Sequence, residues 1–133
     1  MTKVQKRIQE AYAACYRLCE SSRDAEAWLT RALDAARRGE AQHRKAGARF
    51  THGQDKYRLP IADAARYFAV KWFMQDPMGI GTAADFCGLR EDLLFASGAR
   101  DLVCREKGLA AWKAVVERFA DVATLDYSEV FAA

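Results

Sequence analysis

The sequence lacks the features that would direct a protein into a membrane or a secretory pathway. No apolar run is long enough to cross a bilayer, and the basic residues near the N-terminus are not followed by the apolar segment of a secretory signal. We therefore expect a cytoplasmic protein without a membrane partner. In that reducing compartment its four cysteines would remain free thiols.

Motifs typical of enzymes are also missing. The chain has no glycine-rich phosphate-binding loop, no HExxH pattern and no nucleophile elbow. The side chains from which a catalytic site could be built are His43, His52, Asp55 and Tyr57. They share one central segment, but their spacing does not fix them together. The sequence therefore predicts a protein that is not an enzyme and that has no cofactor.

The spacing of the cysteines does not favour a metal site. Cys15 and Cys19 lie one helical turn apart, whereas Cys87 and Cys104 are distant in the sequence. Four thiolates can bind zinc, but zinc knuckles pair their cysteines in tight turns. Because Cys15 and Cys19 lie on or beside the apolar stripe of the first predicted helix, we expect them to act as small buried hydrophobic side chains.

The residues that are present favour one folded, all-α domain. The 133 residues are 51% hydrophobic and 29% charged, and apolar residues recur every three or four positions over most of the chain. We predict a compact bundle of about six helices in a single domain that spans residues 1–133. The three tryptophans, Trp28, Trp72 and Trp112, fall on the apolar faces of predicted helices, which indicates a role in packing.

Residues that typically cap or end helices set the predicted helix boundaries in the N-terminal part of the chain. Residues 1–39 are expected to form a helical hairpin. Its second helix begins at the capping pair Ser21 and Asp24 and ends at Gly39, after two arginines that suit the end of a helix.

Residues 61–133 are expected to form the helical core. The helix that starts after Pro60 is apolar over more than half of its circumference, which predicts that it is the central buried helix. The last helix of the core begins after Gly108.

Residues 40–60 separate these two parts and are predicted to be a basic loop. The net charge of the whole chain is +3, yet five cations and a single carboxylate fall within residues 41–60, which we call the basic segment. Such a local excess of positive charge suits a partner that carries phosphates or acidic side chains. The alternative for residues 48–59 is a short β-hairpin.

The stretch from Thr82 to Leu94 has the pattern of a turn between two crossing helices. Small residues precede a glycine, and apolar anchors follow it; these are Ala83, Ala84, Gly88, Leu89, Leu93 and Leu94. The stretch resembles the helix-turn-helix of bacterial and phage DNA-binding proteins. The resemblance implies that residues 82–100 hold two short helices and that the second enters the major groove of DNA.

The same stretch also suits a purely structural role. The helix after the turn opens with two acids, Glu91 and Asp92, which favour a helix N-terminus but face the negative charge of a DNA groove. The alternative is therefore a scaffold in which two helices meet at a bend.

Two functions remain open for these features. The first is binding of nucleic acid by a small helix-turn-helix-type regulator or accessory factor. Its contacts would come from Arg44, Lys45, Arg49, Lys56, Tyr57, Arg58, Arg90 and Arg100. The alternative is a protein–protein interaction module, a small adaptor or inhibitor that applies residues 43–58 to an acidic surface. The size of the chain and its lack of a catalytic motif would suit such an adaptor or inhibitor as an accessory product of a phage or plasmid.

Overall fold

The computed structural model describes residues 3–45, 61–74 and 90–125, and within these ranges the chain forms six α-helices and no strand. The helices are α1 (Lys3–Cys19), α2 (Arg23–Lys45), α3 (Ile61–Met74), α4 (Arg90–Lys107), α5 (Leu109–Arg118) and α6 (Ala120–Ala123). The predicted all-α architecture is confirmed. The possible hairpin at residues 48–59 and the segment before Arg90 lie outside the described residues.

The helix α3 is the centre of the bundle, as its apolar circumference predicts. It contacts each of the five other described helices. Its buried side chains include Tyr67, Phe68, Val70, Trp72 and Phe73. A helix that is apolar nearly all round must be covered on all sides, and α3 is covered by neighbours from both ends of the chain.

Asp63 is the buried member of the three charged residues on α3. It is buried, and its oxygens accept hydrogen bonds from Gln9 at 2.9 Å, Arg66 at 2.9 Å and Gln5 at 3.3 Å. Since a buried charge is tolerated when its lone pairs are satisfied, this cluster explains how Asp63 lies inside the bundle and how α1 is held on α3.

The helix α2 is longer than its sequence predicts. It continues through Gly39 to Lys45, and Gly39 does not adopt the positive φ of a helix stop. A glycine inside a helix costs about 1 kcal/mol relative to alanine, which packing elsewhere on the helix can offset. The predicted end at Gly39 is therefore wrong, and Arg44 and Lys45 belong to α2 and not to a loop.

The turn between α1 and α2 uses a different capping residue from the one predicted. The hydroxyl of Ser22 accepts the Ala25 N–H at 3.3 Å, and the Ser22 carbonyl accepts the Glu26 N–H at 3.0 Å. Ser22 is buried, whereas Ser21 is exposed. Because the cap lies one residue later, Ala25 occupies the position that an acid would need for a capping box.

A glycine separates α4 from α5, as predicted. Gly108 has a φ of +92°, a conformation that side chains other than glycine rarely adopt. The helix before it, α4, is 18 residues long, so the prediction of a short second helix after Gly88 is wrong. The helix α4 packs most extensively against α2, and this packing buries Ala96, Ala99 and Val103 of α4 in the core.

Candidate binding surfaces

The structure places three of the eight predicted contact residues at helix ends or near them, without describing their side chains. Arg44 and Lys45 are the last two residues of α2, and Arg90 is the first residue of α4. Four others, Arg49, Lys56, Tyr57 and Arg58, lie outside the described residues. The proposed role of the basic segment in binding a partner therefore rests on its amino-acid composition.

Arg100, the remaining predicted contact, lies inside the bundle. Its side chain is 8% exposed, its guanidinium pairs with Asp101 at 2.8 Å, and it lies 5.9 Å from the ring centroid of Trp112. This side chain offers little surface to a phosphate. We therefore leave Arg100 out of the surface that we assign to a partner.

The last residue of the helix-turn-helix-like stretch, Leu94, is an exposed apolar side chain on α4. Leu94, predicted to be a core anchor, is 50% exposed, which corrects that prediction. Phe95 and Leu102 are half-buried on the same helix. A recognition helix would be expected to carry polar contacts at such positions. The resemblance itself depends on residues before Arg90 and stays a prediction.

Cys15 and Cys19 are both buried, as expected of small hydrophobic side chains. Burial raises the pKa of the Cys15 thiol, and it raises the pKa of Cys19 to about 12 although Lys107 opposes the shift. Burial also raises the pKa of Cys104. These thiols are protonated at neutral pH, and the described part of the chain has no group of three metal-ligating side chains.

The surface that sequence reasoning missed lies between α2 and α4. Trp28 packs against α4, as predicted, but it does so at the surface and not in the core, since it is 38% exposed, whereas Trp72 is buried. The Trp28 ring meets Phe95 edge-on at 5.5 Å between centroids and lies over Gly98. A Cβ atom at Gly98 would lie 2.3 Å from Cε3 of Trp28, so glycine is required for this arrangement.

Trp28 and Gly98 line a groove that we call the Trp28 cleft. It has a volume of about 470 Å³ and is lined by Asp24, Trp28, Gly98, Asp101, Leu102 and Arg105. Volumes of about 300 to 1,000 Å³ are typical of binding pockets. The sequence does hold one signal for this site, because a glycine within an apolar helix often marks the close approach of another group.

One exposed cation of α2 lies on an aromatic ring of α4. The guanidinium of Arg31 lies 4.2 Å from the centroid of the Phe95 ring. Among the residues that the structure describes, no carboxylate pairs with Arg31. The charged residues that line the Trp28 cleft itself are two acids, Asp24 and Asp101, and one cation, Arg105.

None of the described helices is long and apolar enough to span a membrane. The chain matches no protein-family model, no curated protein and no solved structure, so its sites are interpreted from their own chemistry.

Proposed function

We propose that this protein binds nucleic acid without catalysing a reaction, through the basic segment at residues 41–60. The observation that carries the proposal is the concentration of five cations and one carboxylate in those twenty residues. Lysine and arginine bind the phosphate backbone by displacing its condensed counterions, which makes such a cluster an electrostatic footprint for nucleic acid.

The length of α2 supports this proposal. Because the helix continues to Lys45, the backbone positions of Arg44 and Lys45 are set by α2 before any partner arrives. Contacts from an ordered backbone lose less conformational entropy on binding than contacts from a free loop. The aromatic ring of Tyr57, later in the segment, adds a side chain that can stack on a base.

The same cations would suit an acidic protein surface, which is the alternative that the test must distinguish. Binding to phosphate depends on salt through counterion release, with a slope of log K against log salt of about −0.9 for each phosphate neutralised on duplex DNA. An acidic protein has no comparable layer of condensed counterions.

We therefore predict that labelled duplex or single-stranded DNA binds the protein at low salt and dissociates steeply as salt rises. Replacement of Arg49, Lys56 and Arg58 by alanine should reduce the salt slope on duplex DNA by about three, because three phosphate contacts are lost. Fluorescence anisotropy of the labelled DNA across a salt titration measures both quantities.

The matched control removes three exposed cations elsewhere, Lys6, Arg17 and Lys113, each replaced by alanine. This variant has the same net charge as the first and should keep the wild-type slope. Equal loss in both variants would show that overall charge, and not the basic segment, attracts DNA. Absence of binding to every DNA at low salt would remove the nucleic-acid proposal and leave the acidic protein surface.

A further inference from the structure

An arginine of α2 has a buried polar atom that no described residue satisfies. Arg37 follows the buried Leu33 by one helical turn and is itself half-buried. Its Nε atom is buried and has no hydrogen-bond partner among the residues that the structure describes. A buried donor of a charged group is costly without an acceptor, and a bound ion is one of the explanations for such a group.

A second guanidinium and a tyrosine lie near Arg37. The ring of Tyr12 on α1 is half-buried, and the Arg66 guanidinium of α3 lies 5.9 Å from its centroid. Burial and the neighbouring Tyr16 raise the pKa of Tyr12, and the positive charges of Arg66 and Arg37 both oppose that rise. These three residues, Tyr12, Arg37 and Arg66, form what we call the Tyr12 cluster, and the helices that carry them contact one another pairwise.

Most hydrogen-bond donors of the Tyr12 cluster are unused. A guanidinium has five N–H donors, and Arg66 gives one of them to the Asp63 carboxylate at 2.9 Å. Among the described residues, Asp63 is the one acid that pairs with either arginine of the cluster, and the Tyr12 hydroxyl has no hydrogen-bond partner. Two cations and one carboxylate leave one positive charge unbalanced, so the ligand that suits these donors is an anion.

The position of the Tyr12 cluster connects it to the basic segment. Arg44 follows Arg37 by seven residues, which places the two backbone positions on one side of α2, about 10 Å apart. Arg66 lies in the second turn of α3, and Pro60, the last residue of the basic segment, directly precedes that helix. The basic segment therefore begins on the helix that carries Arg37 and ends before the helix that carries Arg66.

We propose that the Tyr12 cluster binds a phosphate group, with the guanidinium groups of Arg37 and Arg66 and the hydroxyl of Tyr12 as hydrogen-bond donors. Arginine suits this ligand because its planar fork of donors matches two phosphate oxygens. The phosphate belongs to the backbone of the nucleic acid at the basic segment. This source of the phosphate, but not the site, rests on the proposed binding of nucleic acid by that segment.

Removal of the charge of Arg37 tests the site on the full chain. In the salt titration of labelled duplex DNA, Arg37→Gln should reduce the slope of log K against log salt by about 0.9, because one phosphate contact is lost. Arg38→Gln makes the same change of charge at the next residue, which is exposed, and should keep the wild-type slope. Circular dichroism shows whether each variant keeps its helices.

Tyr12→Phe gives a second readout because it removes a hydroxyl and no charge. This variant should bind DNA about fivefold more weakly at constant salt, through the loss of one hydrogen bond, and its salt slope should be unchanged. Wild-type affinity of Tyr12→Phe would remove the hydroxyl from the site.

Inorganic pyrophosphate separates the site from the binding of nucleic acid. Compared with sodium chloride of equal ionic strength, it should raise the melting temperature of the wild type and of Arg38→Gln, and most of that rise should be absent in Arg37→Gln. If this difference is found but no DNA binds, the phosphate site is supported and the proposed binding of nucleic acid is contradicted.

Three results would overturn the site while DNA binding itself persists. One is a wild-type salt slope in Arg37→Gln. Another is an equal reduction of the slope in Arg37→Gln and Arg38→Gln, because overall charge would then account for both. The third is a pyrophosphate effect on melting temperature that Arg37→Gln retains in full.

Discussion

At the scale of single residues, Trp72 and Trp112 show that burial of a side chain and hydrogen bonding of its indole N–H do not go together. Trp72 is 2% exposed, yet its indole N–H has no acceptor among the residues that the structure describes. Trp112 is only half-buried, but its indole N–H donates to the Phe73 carbonyl at 2.9 Å, near the end of α3. The last carbonyls of a helix lack partners within it, so Trp112 satisfies one of them.

We expect Trp112→Phe to reduce stability more than Trp72→Phe, the reverse of the order that burial alone predicts. The first change removes a hydrogen bond and leaves the Phe73 carbonyl without it, at a cost of about 1–2 kcal/mol. The second removes a buried donor without an acceptor, a gain that offsets the lost packing and leaves the free energy of unfolding within about 1 kcal/mol of wild type.

Urea unfolding of both variants, followed by circular dichroism, measures the difference. A larger loss for Trp72→Phe would mean that the volume of the indole outweighs its unsatisfied N–H.

At the scale of elements, α2 shows how the meaning of a glycine depends on its backbone. Gly39 and Gly108 both follow a cationic stretch and both resemble helix stops. Only Gly108, among the described glycines, has a positive φ. Gly98 is a third case: it lies within a helix, and a glycine is needed there because the Trp28 ring occupies the space of a Cβ. One residue type therefore has three physical roles in a single chain.

Gly39→Ala should raise the free energy of unfolding by about 0.5–1 kcal/mol, because alanine is the better residue inside a helix. Gly108→Ala is the matched control. No atom lies within 4 Å of a Cβ built at Gly108, so its expected cost of about 1–2 kcal/mol comes from the positive φ alone. Thermal or urea unfolding reports both values. If Gly39→Ala lowers the free energy of unfolding instead, the assignment of Gly39 to the interior of α2 is contradicted, and Gly39 would be a helix stop.

At the scale of the whole molecule, contacts between distant parts of the chain close the bundle. The Arg7 guanidinium of α1 donates to Asp121 at 2.7 and 3.1 Å and to the Arg118 carbonyl at 2.8 Å, and it lies 4.5 Å from the Phe119 ring centroid. The hydroxyl of Tyr67 on α3 donates to the Leu125 carbonyl at 2.8 Å. The C-terminal helices are thus held on α1 and α3.

The Arg7–Asp121 pair predicts a small dependence of stability on pH. The hydrogen bond from Arg7 holds the pKa of Asp121 below its ordinary value of 3.8. The pair therefore stabilises the fold above that value and loses its contribution as pH falls through the lower pKa of the folded state. Because both side chains are partly exposed, we expect a coupling energy of only about 0.2–1 kcal/mol at neutral pH.

A double-mutant cycle of Arg7→Gln and Asp121→Asn measures this coupling, which should vanish in strongly acidic solution. The cycle of Arg7→Gln with Asp34→Asn, an exposed carboxylate on α2, should show no coupling at any pH. A coupling for the first pair that does not change on acidification would contradict the assignment of the pKa shift to Arg7.

The sequence by itself determined the helical class, the central place of α3 and the uneven distribution of charge. These features follow from residues whose effect is local or additive. The apolar side chains around α3 must be buried by other helices, whichever helices those are. The cations of residues 41–60 keep their charge in any fold. The start of the last helix after Gly108 was also predictable, since glycine at that position tolerates the positive φ that separates two helices.

Only the tertiary structure decided which borderline residues are buried. Trp28 and Leu94 lie at the edges of apolar stripes, where exposure depends on how closely α2 and α4 approach, and Gly98 sets that approach. Arg100 is buried beside Trp112 although its ion-pair partner Asp101 is exposed, and α2 continues past Gly39 although the residues before it favour a stop. Packing between elements distant in sequence outweighs local preferences of about 1 kcal/mol, so these positions could not be read from the sequence alone.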